Sequence, residues 1–209
     1  MISERLGTWA RARMLVVGRW LGGLGLTPNM MTLFGLLLNV VVAVVIATGN
    51  IRVGGVLLLF SSGFDVLDGS VARATGKTSK FGGFFDSTID RYSEIIVYFG
   101  VLYYLLGTDE WKTSALLSLA AATGALMISY ARARAEAAGW SASVGLLARP
   151  ERVIILSLGL IAGKPVWALW ILAIGTHLTA VMRMVHVWRL ANGQQGNQQT
   201  GAEKLANKP

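Results

Sequence analysis

The sequence predicts an all-α, polytopic membrane protein, with six transmembrane helices preceded by an amphipathic N-terminal helix lying in the interface. Three observations carry this. Of 209 residues, 54% are hydrophobic and the mean hydropathy is +0.55, more apolar than an ordinary soluble domain. The apolar residues gather into stretches of about 20, the length that crosses a hydrocarbon core. The basic residues concentrate in the connections on one side. The absence of cysteine excludes disulfide and thiolate chemistry. The net charge of +8 is scattered between apolar segments rather than gathered on one soluble face, so it reads as topology and not as nucleic-acid binding.

Residues 1–26 carry Arg5, Arg11, Arg13 and Arg19 among Leu6, Trp9, Met14, Leu15, Val16 and Trp20. Arginines so placed are unlike a cleaved signal peptide and suit an interfacial helix. Thr27-Pro28-Asn29 then stops one element and caps the next. The six spans follow at 30–49, 53–73, 82–106, 115–135, 144–163 and 166–190, so that 1–192 reads as one membrane domain with its bundle at 30–192. The polar tail, 193–209, is too poor in apolar residues to pack and is expected to be disordered. Trp9, Trp20, Trp167, Trp170 and Trp188 suit interfacial anchoring. Of the 19 basic residues, all but Arg52, Lys112 and Lys164 fall on one side with both termini. The positive-inside rule makes that side cytoplasmic.

On the same side lies the stretch DVLDGSVARATGKTSKFGGFFDSTID. Asp65 and Asp68 stand at i, i+3 and Asp86 and Asp90 at i, i+4, so each pair shares a helix face. The polar, glycine-containing segment between them reads as a loop joining antiparallel helices, which gathers four carboxylates at one end of a hairpin. Uncompensated, they would repel and resist desolvation. A divalent cation is the simplest compensation; salt bridges to Arg73, Lys77, Lys80 and Arg91 are the other. Small residues nearby, Gly69, Ala72, Gly76, Gly82 and Gly83, let a ligand approach the backbone. Carboxylates, arginine and a small-residue cleft suit a metal-bound phosphate or pyrophosphate. A cation-coupled transporter or channel would use the same carboxylates, but would show internal repeats and broken spans, which the sequence lacks.

The pattern Asp65-x2-Asp68-Gly69-x2-Ala72-Arg73-x8-Gly82-x3-Asp86-x3-Asp90 resembles the signature of the CDP-alcohol phosphotransferases, also called CDP-alcohol phosphatidyltransferases. The resemblance covers the membrane domain and leaves out only the tail. It implies transfer of a phosphatidyl group from a CDP-linked lipid to an alcohol, with release of CMP. By that resemblance Asp65, Asp68, Asp86 and Asp90 hold Mg2+ or Mn2+, and Asp90 also serves as general base. Asn29, Thr32, Gly69, Arg73 and Ser79 match positions that contact the CDP-lipid; helix capping accounts for Asn29 and Thr32 equally well. It further implies a homodimer, while the hydropathy and the positive-inside count make it a multi-pass protein of the cell membrane with a cytoplasmic active site.

For the acceptor, SYARARAEA…RPER is similar to the branch that makes phosphatidylinositol phosphate and to its archaeal-lipid counterpart. There, basic residues at positions matching Arg132, Arg134, Arg152 and Arg183 hold the acceptor phosphate; Arg132 stands where that branch often has Lys. The positive-inside rule alone would also place arginines here. The implied reaction joins CDP-diacylglycerol, or a CDP-linked ether lipid, to inositol 1-phosphate. Glycerol 3-phosphate is the alternative acceptor. Glu94 continues the Asp86–Asp90 face one turn deeper, where it either supports the site or packs in a polar pair. His177 and His186 lack ligand spacing and read as structural or interfacial, and Gly159-x3-Gly163 reads as a helix contact within or between chains.

Overall fold

The computed structural model describes the backbone of residues 27–75 and 79–206, with positions 23 and 25, and the side chains of 27–64 and 79–193. The interfacial helix expected over 1–26 lies outside the described residues. Six α-helices follow, with no strand among the described residues: α1 Pro28–Ala47, α2 Ile51–Thr75, α3 Lys80–Leu105, α4 Trp111–Ala137, α5 Arg149–Ile161 and α6 Pro165–Ala206. Thr27 caps α1, its hydroxyl accepting from the Met30 amide at 3.3 Å, with Pro28 pre-set for the first turn. Ser79 caps α3 in the same way, accepting from the Gly82 amide at 2.9 Å. Gly49 ends α1 with a φ of +92°, a conformation costly for any residue with a Cβ.

The main helix contacts close a ring in the order α1, α2, α5, α6, α4, α3 and back to α1. Small residues set the closest crossings. A Cβ on Gly100 of α3 would lie 2.5 Å from the Ala43 carbonyl oxygen of α1, and one on Gly55 of α2 would lie 2.8 Å from Ser157 O of α5. The core joins Val42, Ile46, Leu58, Val97, Val101, Leu105, Leu117, Leu156, Leu160, Leu169 and Leu172. The interior also holds Thr32, Asn39, Ser61, Ser93, Ser114, Ser118, Ser157, Thr176 and Thr179, while Leu33, Phe34, Leu37, Val41 and Val44 of α1 face outward. An exterior this apolar around an interior this polar suits a hydrocarbon surround. The chain is a membrane protein.

Among the described residues, three helices are long and apolar enough to cross a bilayer: α1, with a mean hydropathy of 2.6, α4, and α6 over Pro165–Gly193. Of the other helices, α2 is apolar over Ile51–Phe64 among the described residues, α3 carries Asp86, Asp90, Arg91 and Glu94, and α5 has 13 residues. The fifth span, expected from 144, begins at Arg149. Residues 139–148 form an irregular loop, because Gly139 and Gly145 hold φ values of +86° and +136° that no helix contains. At the other end α6 continues as helix to Ala206. Extending an existing helix needs no new nucleus, so a polar segment without proline can follow one. Gly159 packs against Ala168 within the chain, and Gly163 forms the turn before α6 with φ +70°, so this pair works as an internal contact and a turn.

Candidate active site

Helix α3 supplies the axis of the site. Asp86, Asp90 and Glu94 recur at i, i+4 along it, one face per turn. Helix α5 lies opposite and starts with Arg149 and Arg152 at i, i+3. The result is two ion-pair rungs. Arg149 Nη1 lies 2.7 Å from Asp90 Oδ1. One turn deeper, Arg152 donates from Nε to Glu94 Oε1 at 2.6 Å and from Nη2 to Oε2 at 2.8 Å. The second oxygen of Asp90 lies 3.4 Å from Arg91 Nη2, and Arg91 Nη1 donates to Ser129 Oγ of α4. Asp90 and its two arginines are partly open to solvent, whereas the Arg152 side chain is only 2% exposed.

A small cleft, partly open to solvent, runs beside these rungs. Asn39, Ser62, Glu94, Tyr98, Arg149 and Arg152 give it its polar wall, and Leu58, Val97, Val153 and Leu156 an apolar one.

The irregular loop before α5 is held by the two deepest arginines. Arg152 Nη1 donates to Leu147 O at 3.1 Å. Arg183 donates from Nε to Val144 O at 2.9 Å and from Nη1 to Ile128 O of α4 at 2.7 Å. Thr179 Oγ1 accepts from the Leu147 amide at 3.2 Å, and a Cβ on Gly145 would collide with the Thr179 methyl. Backbone polar groups of this loop that face the protein need partners, and here side chains of α5 and α6 supply them.

Of the expected donor-contacting residues, Asn29 and Ser79 come together: a Cβ on Gly82 would lie 3.0 Å from Ser79 Oγ and 3.6 Å from Asn29 Oδ1. Thr32 is buried and bonds back to Pro28 O at 3.2 Å. Asp65, Asp68, Gly69 and Arg73 occupy helical backbone in α2, and their side chains lie outside the described residues. Arg152 and Arg183 converge on one loop, as above. Arg132 and Arg134 stand exposed on the last turns of α4, and Arg132 pairs with Glu136 at 2.7 Å. His177 Nε2 lies 3.1 Å from Ala120 O, a structural tie between α6 and α4. Arg149 and Ser129 are absent from the expected set. The register of Arg149 and Arg152 against Asp90 and Glu94 was the available signal for the first; nothing in the sequence points to Ser129.

As oxygen donors on one helix face, Asp86 and Asp90 fit a hard divalent cation. Asp90 already presents both oxygens to cations, the guanidiniums of Arg149 and Arg91.

Residues 25–188 match the family model for CDP-alcohol phosphatidyltransferase. The chain is 37% identical to the archaetidylinositol phosphate synthase of Pyrococcus horikoshii, over 80% of this chain and 87% of that protein. It is also 37% identical to the phosphatidylinositol phosphate synthase of Mycobacteroides abscessus, over 81% of this chain and 80% of that one. Among solved structures, the phosphatidylinositol phosphate synthase of Mycobacterium tuberculosis in complex with manganese and citrate superposes with a TM-score of 0.79 at 31% identity, covering 84% of this chain and 88% of that one. Its CDP-DAG-bound form gives a TM-score of 0.78, covering 84% and 93%. Family model, sequence relatives and fold agree: the chain belongs to the CDP-alcohol phosphatidyltransferase family.

Proposed function

We propose that this protein transfers a phosphatidyl group from CDP-diacylglycerol, or its ether-lipid equivalent, to inositol 1-phosphate, giving phosphatidylinositol phosphate and CMP. The observation that carries this reading is the pairing of α3 with α5. It sets Asp90, the last residue of the family signature, one helical turn from an arginine-lined cleft. The named activities of the relatives support it.

The proposed chemistry follows from the residues. Asp90 takes the proton of the acceptor hydroxyl, and that oxygen attacks the phosphorus bearing the lipid. The bond from this phosphorus to the CMP oxygen breaks, and CMP departs with the electron pair. Asp65, Asp68, Asp86 and Asp90 would hold Mg2+ or Mn2+, which when bound supplies positive charge against the donor pyrophosphate. Asn29, Thr32, Gly69, Arg73 and Ser79 would position the nucleotide end of the donor. Arg152 and Arg183, with Arg132 and Arg134, would hold the acceptor phosphate; guanidiniums suit a phosphomonoester because they present paired donors. In this reading the six helices span the membrane with residues 1–26 in the interface. The site and both termini face the cytoplasm, residues 1–192 act as one domain, and two copies associate.

The test is CMP release by purified protein from CDP-diacylglycerol with Mg2+ or Mn2+, with inositol 1-phosphate, glycerol 3-phosphate, free inositol and serine offered in parallel. Release with inositol 1-phosphate alone is expected. Release only with glycerol 3-phosphate would replace the acceptor and keep the reaction; silence with all four, in folded protein, would overturn the reading.

A further inference from the structure

We infer that Glu94 is a positioning residue that fixes Arg152 for recognition of the acceptor's phosphate; this rests on the proposed function. A guanidinium has five N–H donors. In Arg152 the Nε hydrogen and one Nη2 hydrogen go to Glu94, and one Nη1 hydrogen goes to Leu147 O. One N–H is left on each terminal nitrogen. These two adjacent donors are what bidentate binding of a phosphate requires, and Arg152 lines the cleft. Glu94 therefore takes the Nε side of the guanidinium, locking its plane and depth, and leaves one N–H on each terminal nitrogen.

A purely packing role for the pair makes a different prediction, and so does simple electrostatics. Glu94 sits against the guanidinium and is itself only 10% exposed, so its charge opposes an arriving phosphate. If charge alone mattered, Glu94→Gln would tighten phosphate binding. If the pair only joined α3 to α5, the substitution would lower stability and leave affinity unchanged in the folded fraction. Positioning predicts weaker binding, because an unlocked arginine side chain must be ordered again by each ligand. The three readings differ in sign.

The experiment measures dissociation constants of inositol 1-phosphate and glycerol 3-phosphate by calorimetry on the purified full chain in micelles. It compares wild type, E94Q, R152A and the double variant, with CMP release recorded alongside. Expected is at least ten-fold weaker binding for E94Q, and no further loss when E94Q is added to R152A, since both act through one group. In turnover the acceptor KM should rise while kcat and the donor KM move less than about three-fold, as loss of ground-state binding requires. Should E94Q not accumulate, E94D takes its place, because it keeps the charge but is one methylene short of the two-nitrogen contact. Unchanged or tighter binding in the folded variant, or a loss additive with R152A, overturns the inference. If wild type binds a phosphorylated acceptor but releases no CMP, the proposed function falls and the E94Q affinity still decides the role of Glu94. If wild type binds neither acceptor, both fall.

Discussion

Arg183 offers the sharpest separation between a ligand-binding and a structural arginine. Its side chain is buried, at 6% exposed, and ties Val144 O in the irregular loop to Ile128 O in α4 through one guanidinium. Replacing it by Met keeps most of the volume and removes both hydrogen bonds. Bonds from a charged donor contribute about 1.5–3 kcal/mol each, against which removal of a buried charge returns part of the loss. Ile128 lies in a helix whose carbonyls already accept along the chain, whereas the part-buried Val144 O would lose its side-chain donor. The net loss should be about 2 kcal/mol, or roughly 4–8 °C in melting temperature for a chain of this size. The assay is thermal unfolding in detergent, paired with limited proteolysis of 139–148. Arg183→Met should melt earlier and be cut faster in that loop. Arg183→Lys should behave in the same way, because one ammonium cannot reproduce two donors held in a fixed fork. Unchanged melting and unchanged protection in both variants would refute the loop-anchoring role and leave Arg183 to the ligand alone.

Four further outcomes follow from the same geometry. Asp90→Asn should lower kcat by roughly 10²–10⁴-fold, the usual contribution of a general base, with donor affinity changed far less; CMP release and CDP-diacylglycerol binding on the same preparation check it, and full activity would remove Asp90 as the base. Arg152→Ala should raise the acceptor KM with little change in donor KM, read from steady-state kinetics; an unchanged acceptor KM would return Arg152 to a structural role. Gly100→Val should reduce folded yield and melting temperature, since the added Cβ meets Ala43 O at 2.5 Å and helix α1 cannot retreat cheaply. Chelation by EDTA should abolish CMP release, and Mn2+ or Mg2+ should restore it, in an assay of wild-type protein.

The sequence made the local parts of this protein readable and hid the long-range ones. Thr27-Pro28 announced the start of α1 because a cap is a property of three or four neighbouring residues. Asp86, Asp90 and Glu94 were placed on one face by spacing alone. Hydropathy, in contrast, took the apolar residues around Leu146 and Leu147 as the start of a span. They belong to a loop, where Leu147 packs against Gly175, because hydropathy is blind to the left-handed backbone of Gly139 and Gly145. Arg132, Arg134, Arg152 and Arg183 look alike in sequence. Burial separates them: two lie exposed at the end of α4, and two are buried against one loop. That distinction depends on which helices meet, and periodicity within one helix carries no information about its partner.

The two rungs between α3 and α5 also bear on how the proposed base and the proposed acceptor anchor stay in register. Four residues of α-helix rise about 6 Å and three rise about 4.5 Å, so Asp90–Glu94 and Arg149–Arg152 are close to matched in length. Arginine's reach and forked head absorb the remainder. Asp90 and Arg152 do not touch, yet each is held by the other's helix: Asp90 by Arg149 of α5, and Arg152 by Glu94 of α3. A slide of α5 along α3 would break both rungs at once, so the distance between the proposed base, Asp90, and the proposed phosphate anchor, Arg152, is set by helix register. The loop at 139–148 fits this arrangement, since Leu147 O is held by Arg152 and Val144 O by Arg183 of α6. The short α5 is therefore fixed from both sides, by ion pairs to α3 and by its preceding loop to α6, which is the rigidity that positioning an acceptor demands.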